Sequence, residues 1–129
     1  MRKLKFRAWD NESFEMVYGS ERVGYQDVYF DFRGDSFFLM QNIDEGYPRQ
    51  VDAIIMQFTN YLDSEGKEIY EGDIFSPDYD EWYGFVEWYD NVWQVNWGNN
   101  SRDPLTDYHV DGFTVVGNIF ENPNLINNS

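Results

Sequence analysis

Phe85-Val86-Glu87-Trp88-Tyr89-Asp90-Asn91-Val92-Trp93-Gln94-Val95-Asn96-Trp97 decides the fold. Rings and β-branched residues fill both halves of this stretch, and Trp93, Val95 and Trp97 fall on one face at a period of two. Asp90-Asn91 stands between the halves, a pair whose short polar side chains bond nearby backbone and tolerate positive φ. The stretch therefore reads as two strands joined by a tight turn, ended by Gly98-Asn99-Asn100-Ser101.

The same grammar extends in both directions. Upstream, Ser76 to Tyr83 holds Pro77, Asp78, Asp80 and Glu81 and reads as an exposed acidic loop. Asp63-Ser64-Glu65-Gly66-Lys67 looks at first like a calcium loop but lacks the alternating ligands and the distal bidentate Glu, so it reads as a tight turn. Gly72 would let the chain bend sharply into a strand near Ile74. Val51 to Phe58 is an apolar run that suits either a buried strand or one helical turn followed by a strand. Val28 to Met40 reads as two strands about Arg33-Gly34-Asp35, a hairpin turn rather than an adhesion tripeptide. At the start, Leu4, Phe6 and Ala8 alternate with Lys3, Lys5 and Arg7; Asp10-Asn11 turns the chain, and Phe14, Met16 and Tyr18 resume the alternation. Downstream, Pro104 with Leu105 and Tyr108 permits a short helix or 3₁₀ segment, Thr114 to Phe120 reads as the last strand, and Asn122-Pro123 can cap a brief turn through Leu125 and Ile126.

These readings predict an all-β class with minor short helices: N-terminal β-hairpins and a small SH3-like, partly open barrel in the C-terminal half. The 129 residues form one domain, with lobes expected at 1–58 and 59–129. Aromatic residues make up 20% of the chain, enough to fold it despite 24 acidic against 9 basic residues. The resulting charge of −15 disfavours direct nucleic-acid binding, which draws its affinity from Lys and Arg. It reads first as a solvated acidic surface, and it would also suit a cationic partner, or an inhibitor that imitates nucleic-acid charge. No apolar stretch is long enough to cross a bilayer, and the first residues alternate charge and hydrophobe rather than forming a signal peptide. With no Cys, the expectation is a cytoplasmic protein without membrane association.

Catalytic constellations are absent from the pattern. One His, at 109, cannot make a two-His zinc motif, and Gly66-Lys67 lacks the remainder of a phosphate loop. Asp78 with Asp80 and Glu81, or Glu71 with Asp73, are carboxylate pairs of the kind that cleave glycosides, but close pairs arise by chance in so acidic a chain. The expectation is a protein that is not an enzyme and has no cofactor, metal or catalytic residue. The rings are more telling: Tyr79, Trp82, Tyr83, Phe85, Trp88, Tyr89, Trp93 and Trp97 crowd one region and could line a sugar- or peptide-binding face. Alternation assigns about half of them to the core. The remainder, set among acidic loops, predicts an interaction surface at Tyr79, Asp80, Glu81, Trp82, Tyr83 and Tyr89, for a second copy of the chain or for another protein.

Three segments resemble the YopX family of phage and prophage proteins. They are Leu4-Lys5-Phe6-Arg7-Ala8-Trp9-Asp10; Met56-Gln57-Phe58-Thr59 with Gly66-Lys67-Glu68-Ile69-Tyr70-Glu71-Gly72-Asp73-Ile74; and Val116-Gly117-Asn118-Ile119-Phe120-Glu121-Asn122-Pro123. The resemblance implies a small β-rich protein encoded by a temperate phage or integrated element, acting in the bacterial cytoplasm as an intertwined homo-oligomer. A phage or bacterial host protein is the expected partner. No catalytic residue transfers. The shared positions, Phe6, Asp73 and Pro123 among them, read as architecture: Gly66, Gly72 and Gly117 for backbone shape, Trp9 and Ile74 for the core, and Asp10 and Asn118 for turn or backbone hydrogen bonds. Where the family has Thr-Gly-Leu, this chain has Thr59-Asn60-Tyr61, and Asn is the non-Gly residue that best accepts positive φ.

Overall fold

The computed structural model describes residues 4–18, 28–34, 36–41, 48–77, 83–106 and 112–127. The described chain is all-β, with one short helix. It divides into two compact units, Leu4–Gln57 and Phe58–Ser129.

The first unit holds β1 (Phe6–Asp10), β2 (Glu15–Tyr18), β3 (Val28–Arg33), β4 (Ser36–Gln41), β5 (Arg49–Gln50) and the start of β6 (Ala53–Leu62). β1 is central, antiparallel to β2 on one side and to β6 on the other, with Ala8 opposite both Val17 and Ile55. Asp10 makes the β1–β2 turn by accepting the backbone N–H of Glu12 at 2.8 Å and of Ser13 at 3.1 Å on Oδ1. β3, β4 and β5 form a second antiparallel sheet, the β3–β4 turn passing through Gly34. Ala8, Leu39 and Val51 are the buried centre, with Val17, Phe30, Ala53 and Ile55 packed around them. Two residues near the start depart from simple alternation. Leu4, expected on the buried face, precedes the first ladder pair and is 70% exposed, whereas Arg7, expected outward, is buried in a strand paired on both edges.

The second unit takes over at Phe58 within β6, which pairs there with β7 (Glu68–Tyr70). The apolar run is thus strand from Ala53 on, without the helical turn that it also permitted. β8 (Asp73–Pro77), β9 (Gly84–Tyr89), β10 (Val92–Gly98), β11 (Ser101–Pro104) and β12 (Phe113–Asn118) form a half-barrel antiparallel sheet in the order β11-β10-β9-β8-β12. Its core is Ile69, Phe75, Val86, Trp93, Val95 and Leu105. Pro104 lies at the end of the edge strand β11 rather than in a helix; an edge position spares it the ladder hydrogen bond it cannot donate. The helix α1 (Asn124–Asn127) follows Pro123, which is excluded from a ladder but suited to the approach to a helix. Among the described residues, no helix is long and apolar enough to cross a membrane.

Candidate functional site

The β9–β10 hairpin organises the second unit's surface. Asp90 and Asn91 both take left-handed φ, 53° and 64°, giving a two-residue turn whose twist matches that of the flanking strands. This fixes the register Val86↔Val95 and Trp88↔Trp93, so these four share one face. Toward the core the face is closed by Val86 and Val95. Toward the turn it outruns the core, leaving Trp88 half exposed over Trp93, with ring centroids 4.9 Å apart and planes at 69°.

The opposite face is mixed, with Glu87, Gln94 and Asn96 beside Phe85, Tyr89 and Val92. Glu87 Oε1 accepts from Arg102 Nε at 2.7 Å and from Asn96 Nδ2 at 3.3 Å, and the hydrogen bond to Glu87 raises the Arg102 pKa above that of an ordinary arginine. The same guanidinium lies 4.0 Å from the Tyr89 ring centre, a cation–π contact. Tyr89 is therefore exposed but engaged, and strand alternation carries it away from Trp88.

Beside Trp88 and Trp93 runs a groove of about 630 Å³. One wall is the bulge of β6, where pairing slips between Phe58↔Tyr70 and Leu62↔Glu68 and Asn60 takes φ 71°. Thr59 Oγ1 holds the bulge by donating to the Ile69 carbonyl at 2.8 Å and accepting the Tyr61 N–H at 3.1 Å. Asn91, Val92 and the two tryptophans make the second wall. The third is Pro104 to Thr106, tied down where the Leu105 N–H donates to the Trp93 carbonyl at 2.8 Å.

Of the surface expected from sequence, Tyr79, Asp80, Glu81 and Trp82 lie outside the described residues, as does His109. Tyr83 is half-buried and Tyr89 exposed. The hairpin tip also exposes apolar side chains, with Trp88 49%, Tyr89 47% and Val92 44% exposed, while Leu4, Phe14, Leu62 and Val116 are exposed singly elsewhere. Sequence reasoning missed Val92, Asn91 and Tyr61, and placed no special weight on Trp88. The available signal was its position two residues before the turn, directly opposite another Trp.

The motif residues sit in turns and core. Gly72 takes φ 91° and donates its N–H to Val86 at 2.8 Å, which brings β8 against β9. Asp73, buried, accepts the Tyr70 N–H at 2.8 Å across that corner, while Ile74 is fully buried. Gly66, at φ 83°, sits in a turn held by Asp63, which accepts the N–H groups of Glu65, Lys67 and Val115. Gly117 has a different role: a Cβ there would collide with the Asn122 side chain, whose oxygen accepts the Asn118 N–H. Asn118 in turn accepts from Phe120 and Glu121 on Oδ1. Phe6 and Trp9 are half-buried on β1, and Pro123 is exposed. Among the described residues, no group of three or more His, Asp or Glu is placed to hold a metal ion.

The family model described as YopX protein matches residues 5–127. Two solved structures share the fold. Protein EF1440 from Enterococcus faecalis is 23% identical, with a TM-score of 0.62 over 98% of this chain and 99% of that one. Protein yopX from Bacillus subtilis is 20% identical, with a TM-score of 0.61 over 95% of each chain. No curated protein matches the chain.

Proposed function

The chain belongs to the YopX family, and from that premise we propose that it is a non-enzymatic accessory protein of a phage or prophage. It acts in the bacterial cytoplasm as a homo-oligomer and docks a host or phage protein through an acidic, ring-rich surface centred on the β9–β10 tip.

The exposure of Trp88, Tyr89 and Val92 around one rigid turn carries this reading. Large rings left half exposed by the chain gain by being covered, and they dominate the energetics of protein interfaces. Asp90, exposed at the same tip, adds local negative charge to a chain of −15 and favours a partner with a basic rim. Docking through rings is favoured over charge mimicry because many described carboxylates are engaged within the chain. Asp10, Glu12, Asp63, Asp73, Glu87 and Asp103 accept hydrogen bonds from the chain itself, and Asp63 and Asp73 are buried.

Affinity capture from host lysate with the wild-type chain and with the double variant Trp88→Ala/Val92→Ser tests the reading. The variant is expected to lose the partner while keeping its circular-dichroism spectrum. Undiminished capture by the variant would sink the assignment of the surface. Light scattering checks the subunit number, and a monomer at working concentration would remove the oligomer from the proposal.

A further inference from the structure

Among the described strands, the five-stranded sheet of the second unit has two edges, β11 and β12, and the chain guards them differently. Unpaired N–H and C=O groups along an edge strand are a template for a strand from another molecule. β11 carries its own protection, since Ser101-Arg102-Asp103-Pro104 combines two charged side chains with a proline that has no N–H to offer. β12 carries none of this kind. None of its six residues is charged or proline, and it begins Phe113-Thr114-Val115-Val116, a β-favouring run of the composition that most readily accepts an added strand.

The missing protection comes from the turn at 63–67. Phe113 stands opposite Pro77 in the β8 ladder, which has no N–H to give it. Its carbonyl accepts instead the Ser64 N–H at 3.1 Å and the Ser64 hydroxyl at 3.0 Å, and the Val115 N–H donates to Asp63 Oδ2 at 3.0 Å. A carbonyl oxygen has two lone pairs and an N–H one hydrogen, so both groups are fully used. Residues two apart on a strand direct their backbone groups the same way, and an added strand in either orientation would need both. The two oxygens of Asp63 have separate roles. Oδ1 shapes the turn by accepting the Glu65 N–H at 2.9 Å and the Lys67 N–H at 2.8 Å, while Oδ2 reaches a strand 52 residues further along the chain. The carboxylate is 7% exposed, and its three N–H donors offset the cost of burying it.

We propose that this turn is a built-in plug of the β12 edge, filling the backbone groups through which the sheet would otherwise take a strand from a second copy of this chain. The slip in pairing between Val115 and Gly117 bends β12 just beyond the plug and shortens the edge left to guard. Contacts of this unit with other molecules are thereby left to side-chain surfaces, and its sheet stays closed to strand addition.

Asp63→Asn tests the plug in the full chain. It keeps the shape of the side chain but replaces one accepting oxygen by an NH₂ group, so it cannot serve both the turn and Val115. Hydrogen exchange should find the Val115 amide protected in the wild type and roughly tenfold or more faster in the variant. Light scattering over a concentration series should give the variant a mean mass above the wild-type value at equal concentration. Adding Val116→Lys, a charge at an exposed position of the same edge, should bring the mass back to the wild-type value. Where circular dichroism shows Asp63→Asn unfolded, Ser64→Ala decides: it frees one lone pair of the Phe113 carbonyl, and the mass should rise in the same direction. An unprotected Val115 amide in the wild type overturns the proposal. So does a folded Asp63→Asn chain, or in its place a Ser64→Ala chain, that keeps the wild-type mass, and so does association that Val116→Lys leaves intact.

Discussion

Asn60 holds φ at 71° within β6, a left-handed value that glycine takes at no steric cost. A left-handed backbone crowds Cβ against the following carbonyl, and Asn bears this better than other side chains. Asn60→Gly is therefore expected to leave the thermal midpoint unchanged or raise it slightly, whereas Asn60→Val, branched at Cβ, should cost roughly 1–2 kcal/mol. Equal midpoints for the two variants would show that φ is not the constraint. Glu12 is a residue-scale determinant in the first unit. Its carboxylate accepts from Arg49 and from the Asp52 N–H, and the Arg49 hydrogen bond above all holds its pKa below the usual 4.5. A depressed folded-state pKa gives stability that is full above the unfolded value and lost as pH falls through the folded one. Urea midpoints of wild type and Glu12→Gln should thus differ most near neutrality and converge on acidification through and below the glutamate range. A gap that widens in acid would contradict the assignment.

At the scale of elements, the second unit depends on β9 meeting β10 closely at Gly84. A Cβ at that position would stand 2.6 Å from Trp97 Cε3 and 2.7 Å from Val95 Cγ1. Trp97 is tethered through Nε1 to Asp103 and cannot yield freely, so Gly84→Ala should destabilise by about 1–3 kcal/mol, seen as a lower urea midpoint at unchanged slope. A wild-type midpoint would mean that the ring moves aside. The hairpins were legible in the sequence because alternation and turn chemistry agreed within a few residues: Gly34 between β3 and β4, Asp90-Asn91 between β9 and β10. β11 was not, since Ser101-Arg102-Asp103-Pro104 has no strand signal of its own and owes its conformation to pairing with β10. The groove was hidden for the same reason. Its walls come from β6, the β9–β10 tip and the chain after β11, and only tertiary pairing brings these together. Trp88 shows the limit of period-two reasoning. It shares the face of buried Val86, but the core ends before the strand does.

For the whole molecule, the charge of −15 sets both solution behaviour and the choice of partners. Hydrogen bonds absorb many carboxylates locally, but they do not cancel the net charge, and nine basic residues cannot neutralise twenty-four acids. The compact state concentrates like charges that the unfolded chain spreads out, so self-repulsion should weaken folding at low salt. Raising ionic strength to 0.15 M shortens the screening length to about 8 Å, which reaches most pairs of exposed carboxylates and leaves short internal hydrogen bonds nearly untouched. If this relieves about 1 kcal/mol, the melting temperature should rise by roughly 3–6 °C between low salt and 0.15 M sodium chloride. An uncharged osmolyte at equal osmolality separates screening from surface exclusion, because it cannot screen. A midpoint that falls with salt would mean that attractive pairs such as Arg49–Glu12 and Arg102–Glu87 outweigh the net repulsion, and the charge would then act chiefly on association rather than on folding.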